Sequence, residues 1–156
     1  MDEYTCRELA WELLCPGLPE EVARARRWTR DILTNCPCAD DAALILTNCP
    51  CADDAALIVT ELAANTVTHT ASPNFRLTIH RTADAVTLSV TDNGSSTTSP
   101  HITRAHDHET HGRGLEIVAA LAQHLSVTRN PHGHTVTAEL PTHTVALPTH
   151  HQAPTC

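Results

Sequence analysis

The chain contains no lysine; all ten of its cationic residues are arginine. That absence removes Schiff-base chemistry and the lysine that often grips a phosphate. A phosphate site in this chain has to use Arg, backbone N–H groups and a metal. There is no basic tract either. With a net charge of −8, the sequence argues against direct nucleic-acid binding through phosphate contacts, and against docking on an anionic membrane. Aromatic residues supply only 3% of a chain that is 41% hydrophobic, so the core has to be built from Leu, Val, Ile and Ala. No apolar run approaches the length of a membrane span. The opening residues Met1-Asp2-Glu3-Tyr4 are acidic and lack the apolar region of a secretory signal. Seven cysteines is an odd number, and 156 residues suffice for one core without staples. These features lead to the expectation of a cytoplasmic protein with reduced thiols.

What is present centres on Glu61-Leu62-Ala63-Ala64-Asn65-Thr66-Val67-Thr68-His69. Read as a helix, this stretch stacks Glu61, Asn65 and His69 along one side, since a turn advances about 5.4 Å. Ile58, Val59, Leu62 and Ala63 mark a different, apolar face that should pack on a core. A carboxylate one turn from an amide oxygen can hold a hydrated divalent cation and orient a water. A solvated polar stripe on an ordinary amphipathic helix would have the same spacing.

Along the rest of the chain, Arg7 to Cys15 fits either a short helix or an edge strand by pattern alone. From Pro19 to Leu33 the spacing predicts a helix. Glu20 and Glu21 suit its first turn, and Val22, Ala25, Trp28, Thr29 and Ile32 lie near one face. Residues 32–44 recur without change as 45–57, one tandem pair of thirteen residues. Solenoids use longer units in more copies, so this reads as a duplication whose second copy leads into the central helix, with Pro50, Asp53 and Asp54 at its start. The first copy reads as an extended connection. The two Cys-Pro-Cys pairs that the repeat creates, Cys36/Cys38 and Cys49/Cys51, are spaced too closely for the usual structural zinc site. Ala71-Ser72-Pro73-Asn74 stops the helix. Phe75, Leu77, Ile79 and then Val86, Leu88, Val90 alternate as a hairpin around Thr82-Ala83-Asp84. Ser95 to His111 has no period, and so long an irregular stretch in a compact domain is more often a lid than slack. Its histidines read as solvated loop residues. Leu115, Val118, Ala119, Ala122 and Leu125 describe a short helix. Ser126–Arg129 and Thr135–Leu140 form a second hairpin, and residues 141–156 are expected to be a disordered tail.

Three further pieces carry chemistry. Asp92-Asn93-Gly94 ends a strand, where a carboxylate can accept a hydrogen bond from an exocyclic amine while Gly lets a ligand approach the backbone. Gly112-Arg113-Gly114-Leu115 opens a helix and exposes N–H groups to an anion. Gly133-His134-Thr135 enters the last strand.

In this order, the pieces resemble the ATP-binding domain of the GHKL superfamily of gyrase B subunits, histidine kinases and MutL-type ATPases. The resemblance is closest to the small bacterial anti-sigma-factor serine/threonine kinases, through Ala23-Arg24-x-x-Arg27-Trp28 and Glu61-Leu62-x-x-Asn65-x-x-x-His69. It covers roughly Trp11 to Leu140. The resemblance implies an α/β two-layer sandwich, with helices on one face of a mixed, largely antiparallel sheet, the Bergerat ATP-binding fold. It implies one domain over residues 1–140, and it makes Trp11–Cys15 the first strand. By the same resemblance, Asn65 would ligate Mg²⁺ bridging the phosphates of ATP, and Glu61 would be the general base. Asp92 would read the adenine amine, and Gly94 would make room for the ring. Gly112 and Gly114 would close on the phosphates, Arg113 would reach the γ-phosphate, and Thr135 would support the adenine end. The implied function is transfer of the γ-phosphoryl group to a serine on an antagonist protein, with sequestration of a sigma factor, usually as a homodimer. The alternative is a non-catalytic partner-switching module governed by ATP occupancy.

Overall fold

The computed structural model describes residues 8–34, 51–82, 84–93, 113–131 and 133–142. The first repeat copy beyond Thr34, the irregular segment 95–111 and the tail beyond Thr142 lie outside them. Strand β1 (Leu9–Pro16) is followed by helices α1 (Pro19–Thr34) and α2 (Ala52–His69). Next come the hairpin of β2 (Asn74–Arg81) and β3 (Ala85–Asp92), helix α3 (Arg113–Leu121), and the hairpin of β4 (His124–Asn130) and β5 (Gly133–Pro141). The ambiguous first segment is a strand, two residues longer at its start than the resemblance implied.

The strands form one sheet in the order β1-β2-β3-β5-β4, and all four pairings are antiparallel. Among the described residues α1 and α2 separate β1 from β2, and the two strands pair antiparallel, with Pro16 opposite Asn74. The last hairpin inserts β5 between β3 and β4. α2 lies over β3 and β5, α1 packs along α2 and reaches β1, and α3 sits between α2 and β4. The result is the α/β sandwich that the resemblance implied.

Each helix forms for reasons visible in its residues. In α1, Pro19 takes the first position, where its missing N–H costs nothing, and Glu20 and Glu21 complement the dipole. Ala25, Thr29 and Leu33 are its buried line, and the Thr29 hydroxyl donates to the Ala25 carbonyl at 2.8 Å. α2 buries Ile58, Val59, Leu62 and Ala63 as its spacing predicts, together with Ala55 and Ala56. Those alanines leave room for α1 and the sheet to approach. The helix ends where Thr70 donates through both N–H and hydroxyl to the Thr66 carbonyl.

On the sheet, Val86, Leu88 and Val90 of β3 and Val136, Ala138 and Leu140 of β5 point to the helices. α3 stops at Leu121 rather than running to Leu125, and β4 starts two residues earlier than its pattern suggested. Leu125 fits the core equally well from a strand opposite Ala138, and that pairing decides its state.

Cys15 is the free cysteine among the described residues and is fully buried. Cys51 is disulfide-bonded, against the expectation of reduced thiols throughout. Burial pushes the Cys15 thiol above the ordinary cysteine range, and the Arg24 guanidinium offsets part of that rise. A protonated, enclosed thiol is a poor nucleophile. Iodoacetamide at about pH 8 should therefore leave Cys15 unmodified in native protein and label it after denaturation. Rapid labelling of the native protein, mapped by mass spectrometry, would contradict this packing. No described helix is long and apolar enough to cross a membrane.

Candidate functional site

Glu61 and Asn65 occupy consecutive turns of α2 on the half-buried flank beside the core face. Facing them is the first turn of α3. Gly114 is buried there, and a Cβ on it would lie 2.7 Å from Glu61 Oε2 and 3.7 Å from both amide atoms of Asn65. Any side chain at that position would push into the pair. A carboxylate, an amide oxygen and a helix N-terminus thus share one place. Unpaired N–H groups and the positive end of the dipole at such a terminus attract an anion. His69, two turns further on, is exposed at the end of α2.

Asp92 ends β3 on the helix-facing side and is almost fully buried. Its Oδ1 accepts the backbone N–H of His134 at 3.3 Å, and its Oδ2 lies 3.8 Å from His134 Nδ1. Gly133 makes this approach available. Its φ is +156°, and a Cβ would overlap the Asp92 carbonyl oxygen and come within 2.8 Å of Oδ1. The residue after Asp92 is fixed from the other direction. Asn93 donates its backbone N–H to Ser72 Oγ at 2.8 Å and its side-chain amide to Asn74 Oδ1 at 2.7 Å. Ser72 Oγ in turn donates to the Asn74 carbonyl. A carboxylate held at a strand end in this way can accept a hydrogen bond from a ligand amine.

Of the residues singled out from sequence, Glu61, Asn65 and Gly114 come together, and Asp92 lies in the sheet that α2 covers. Arg113 opens α3. Gly94 and Gly112 lie outside the described residues. Thr135 is not brought to Asp92. Its hydroxyl pairs with that of Thr91 at 2.9 Å, across the sheet from the helices. Neighbouring residues in a strand point to opposite faces, so the side chain beside Asp92 is that of His134. Strand parity was the available signal, because His134 shares its face with Val136, Ala138 and Leu140.

The family model of the histidine kinase-like ATPase domain matches residues 15–140. The chain belongs to this family. No curated protein sequence matches it. In a histidine kinase-like ATPase domain the ligand is ATP.

Proposed function

We propose that this ATPase domain is a protein kinase of the anti-sigma type, which phosphorylates a serine on an antagonist protein and binds a sigma factor as a homodimer. The observation that carries the reading is the convergence of Glu61 and Asn65 with the start of α3. Asn65 and Glu61 offer hard oxygen atoms. Among the described residues no three His, Cys, Asp or Glu converge on a metal site, so a cation here would draw most of its ligands from phosphates and water. That donor set fits Mg²⁺ held through Asn65 Oδ1. When bound, Mg²⁺ neutralises the charge that develops on the transferred group. Glu61 takes the proton of the attacking serine hydroxyl. The serine oxygen bonds to the γ-phosphorus as its bond to the β–γ bridging oxygen breaks, and ADP leaves with the electron pair. Asp92 accepts the adenine amine, and Arg113 neutralises the γ-phosphate.

Calorimetric titration with ATP, with and without Mg²⁺, tests the site. Asn65→Ala should abolish the Mg²⁺-dependent part of the affinity, a loss of at least about tenfold. A wild-type chain that binds no ATP under either condition would overturn the reading. Incubation with γ-labelled ATP and candidate antagonist proteins tests the reaction. Label transfer supports a kinase, whereas tight ATP binding without transfer points to a partner-switching module.

A further inference from the structure

Two large apolar side chains that the fold leaves in water stand beside Glu61. Leu57 is 41% exposed and Ile117 37%. Leu57 precedes Glu61 by one turn on the same side of α2, and Ile117 follows Gly114 by one turn on α3. Gly114 is the residue that meets Glu61 and Asn65, so the directions of the two helices decide whether the apolar pair meets or diverges. α2 delivers the chain to Asn74, at the end of the sheet where Phe75 pairs with Asp92. α3 delivers it to His124, opposite Glu139 and toward the other end of β5. The helices are therefore antiparallel, and one turn back along α2 is level with one turn forward along α3. Leu57 and Ile117 line the two sides of one groove that opens onto Glu61. Exposed apolar side chains standing singly are ordinary on a protein surface, whereas two that converge from separate helices make a seat for a partner's side chain. The surroundings are acidic. Asp53, Asp54 and Glu116 flank the groove. Asp53 is engaged by Arg30 at 3.3 Å, and Asp54 and Glu116 join Glu61 in setting the sign of the surface. Arg113, the cation of α3, precedes Gly114 and so lies toward the phosphates.

We propose that this groove docks the protein that receives the phosphoryl group, through an apolar side chain flanked by basic residues beside the acceptor serine. The inference rests on the kinase reading above, in which a serine hydroxyl has to reach Glu61. A segment that brings a hydroxyl there lies across the neighbouring turn of α2, where Leu57 is the next side chain. The apolar residue leaves water between Leu57 and Ile117 and fixes the register of the segment. Its basic neighbours face Asp54 and Glu116, which select against acidic segments.

The test uses the full chain, γ-labelled ATP and synthetic serine peptides that differ only beside the serine: leucine with arginines, leucine with glutamates, and alanine with arginines. The first should be labelled with a kcat/KM at least about tenfold above either of the others. Added salt should erode the preference for arginine and spare the preference for leucine. Leu57→Ser and Ile117→Ser should each raise KM for the first peptide roughly tenfold, the loss expected when an apolar anchor no longer leaves water, with kcat and ATP affinity changed by no more than about twofold. Asp54→Arg should shift labelling toward the glutamate peptide, which tests the groove from its charged side. Equal labelling of the three peptides would overturn the proposal, as would variants that lower kcat and leave KM unchanged. So would a wild-type dimer that Leu57→Ser splits into monomers in sizing chromatography, since a second copy would then fill the groove. Label on a candidate antagonist protein but on none of the peptides would overturn it as well, because the flanks would not be what the groove recognises. In each of these cases the kinase reading survives. If a chain that binds ATP labels neither peptide nor protein, that reading fails and the docking proposal with it.

Discussion

Replacing Gly133 with alanine is expected to destabilise the protein by about 2–5 kcal/mol, the sum of a backbone conformation nearly restricted to glycine and an overpacked contact. With φ at +156°, the residue already sits where L side chains are strained, and the added methyl would overlap the Asp92 main chain. Neither obstacle is the far end of a flexible side chain. Relief would require β5 to move off β3, yet the two strands are paired from Ala85–Pro141 to Thr91–Thr135. Fraying at this end also withdraws the His134 N–H from Asp92, so weaker adenine binding should accompany the loss of stability. Urea unfolding of the variant measures the first effect and ATP titration the second. A stability change below about 0.5 kcal/mol, the size of an ordinary surface substitution, would show that the strands do not approach this closely.

Changing Glu61 to glutamine should reduce phosphoryl transfer by about 10²–10⁴-fold, the usual contribution of a positioned general base, while the protein still binds ATP. The substitution keeps the size of the side chain, so packing against Gly114 and the turn shared with Asn65 is retained. What is lost is the capacity to take a proton. Single-turnover measurements with labelled ATP separate the two steps, because they report transfer after binding is complete. Unchanged turnover would remove Glu61 from the reaction. Loss of ATP binding along with turnover would give it a different role, that of holding the start of α3.

Much of the fold was legible because its periods are clean. α2 alternates small and branched apolar residues at helical spacing, and β3 alternates residue by residue, with every second side chain buried. β1 was not legible from pattern. It is an edge strand whose burial alternates only between exposed and half-buried up to Leu14, so the apolar signal is weak and a short helix fits as well. The spacing of Leu125 from Leu121 and Ala122 suits a helix, whereas its strand partner Ala138 is a long-range contact invisible in the local chain.

The candidate site divides in the same way. The stacking of Glu61 and Asn65 follows from helical arithmetic, whereas the place of Gly114 beside them depends on how α3 packs on α2, which no local spacing reveals. At the Asp92 end the legible signal is strand parity, the rule that holds for the other strands. Counting by twos from Leu140 reaches His134, not Thr135. The closeness of His134 to Asp92 also depends on β5 pairing with β3 rather than on any local motif.

Threading the final strand into the interior of the sheet has a consequence for biosynthesis. While the chain is being made, β3 has a neighbour only on its β2 side, and the carboxylate at its tip has nothing from β5 to meet it. A nascent polypeptide can build its α1–α2 layer over a three-stranded sheet, yet the Asp92 carboxylate lacks its β5 partner until that strand has left the ribosome and slotted into place. The junction of Asp92 with β5 therefore forms only at the last stage of folding, after translation has run to the end of β5.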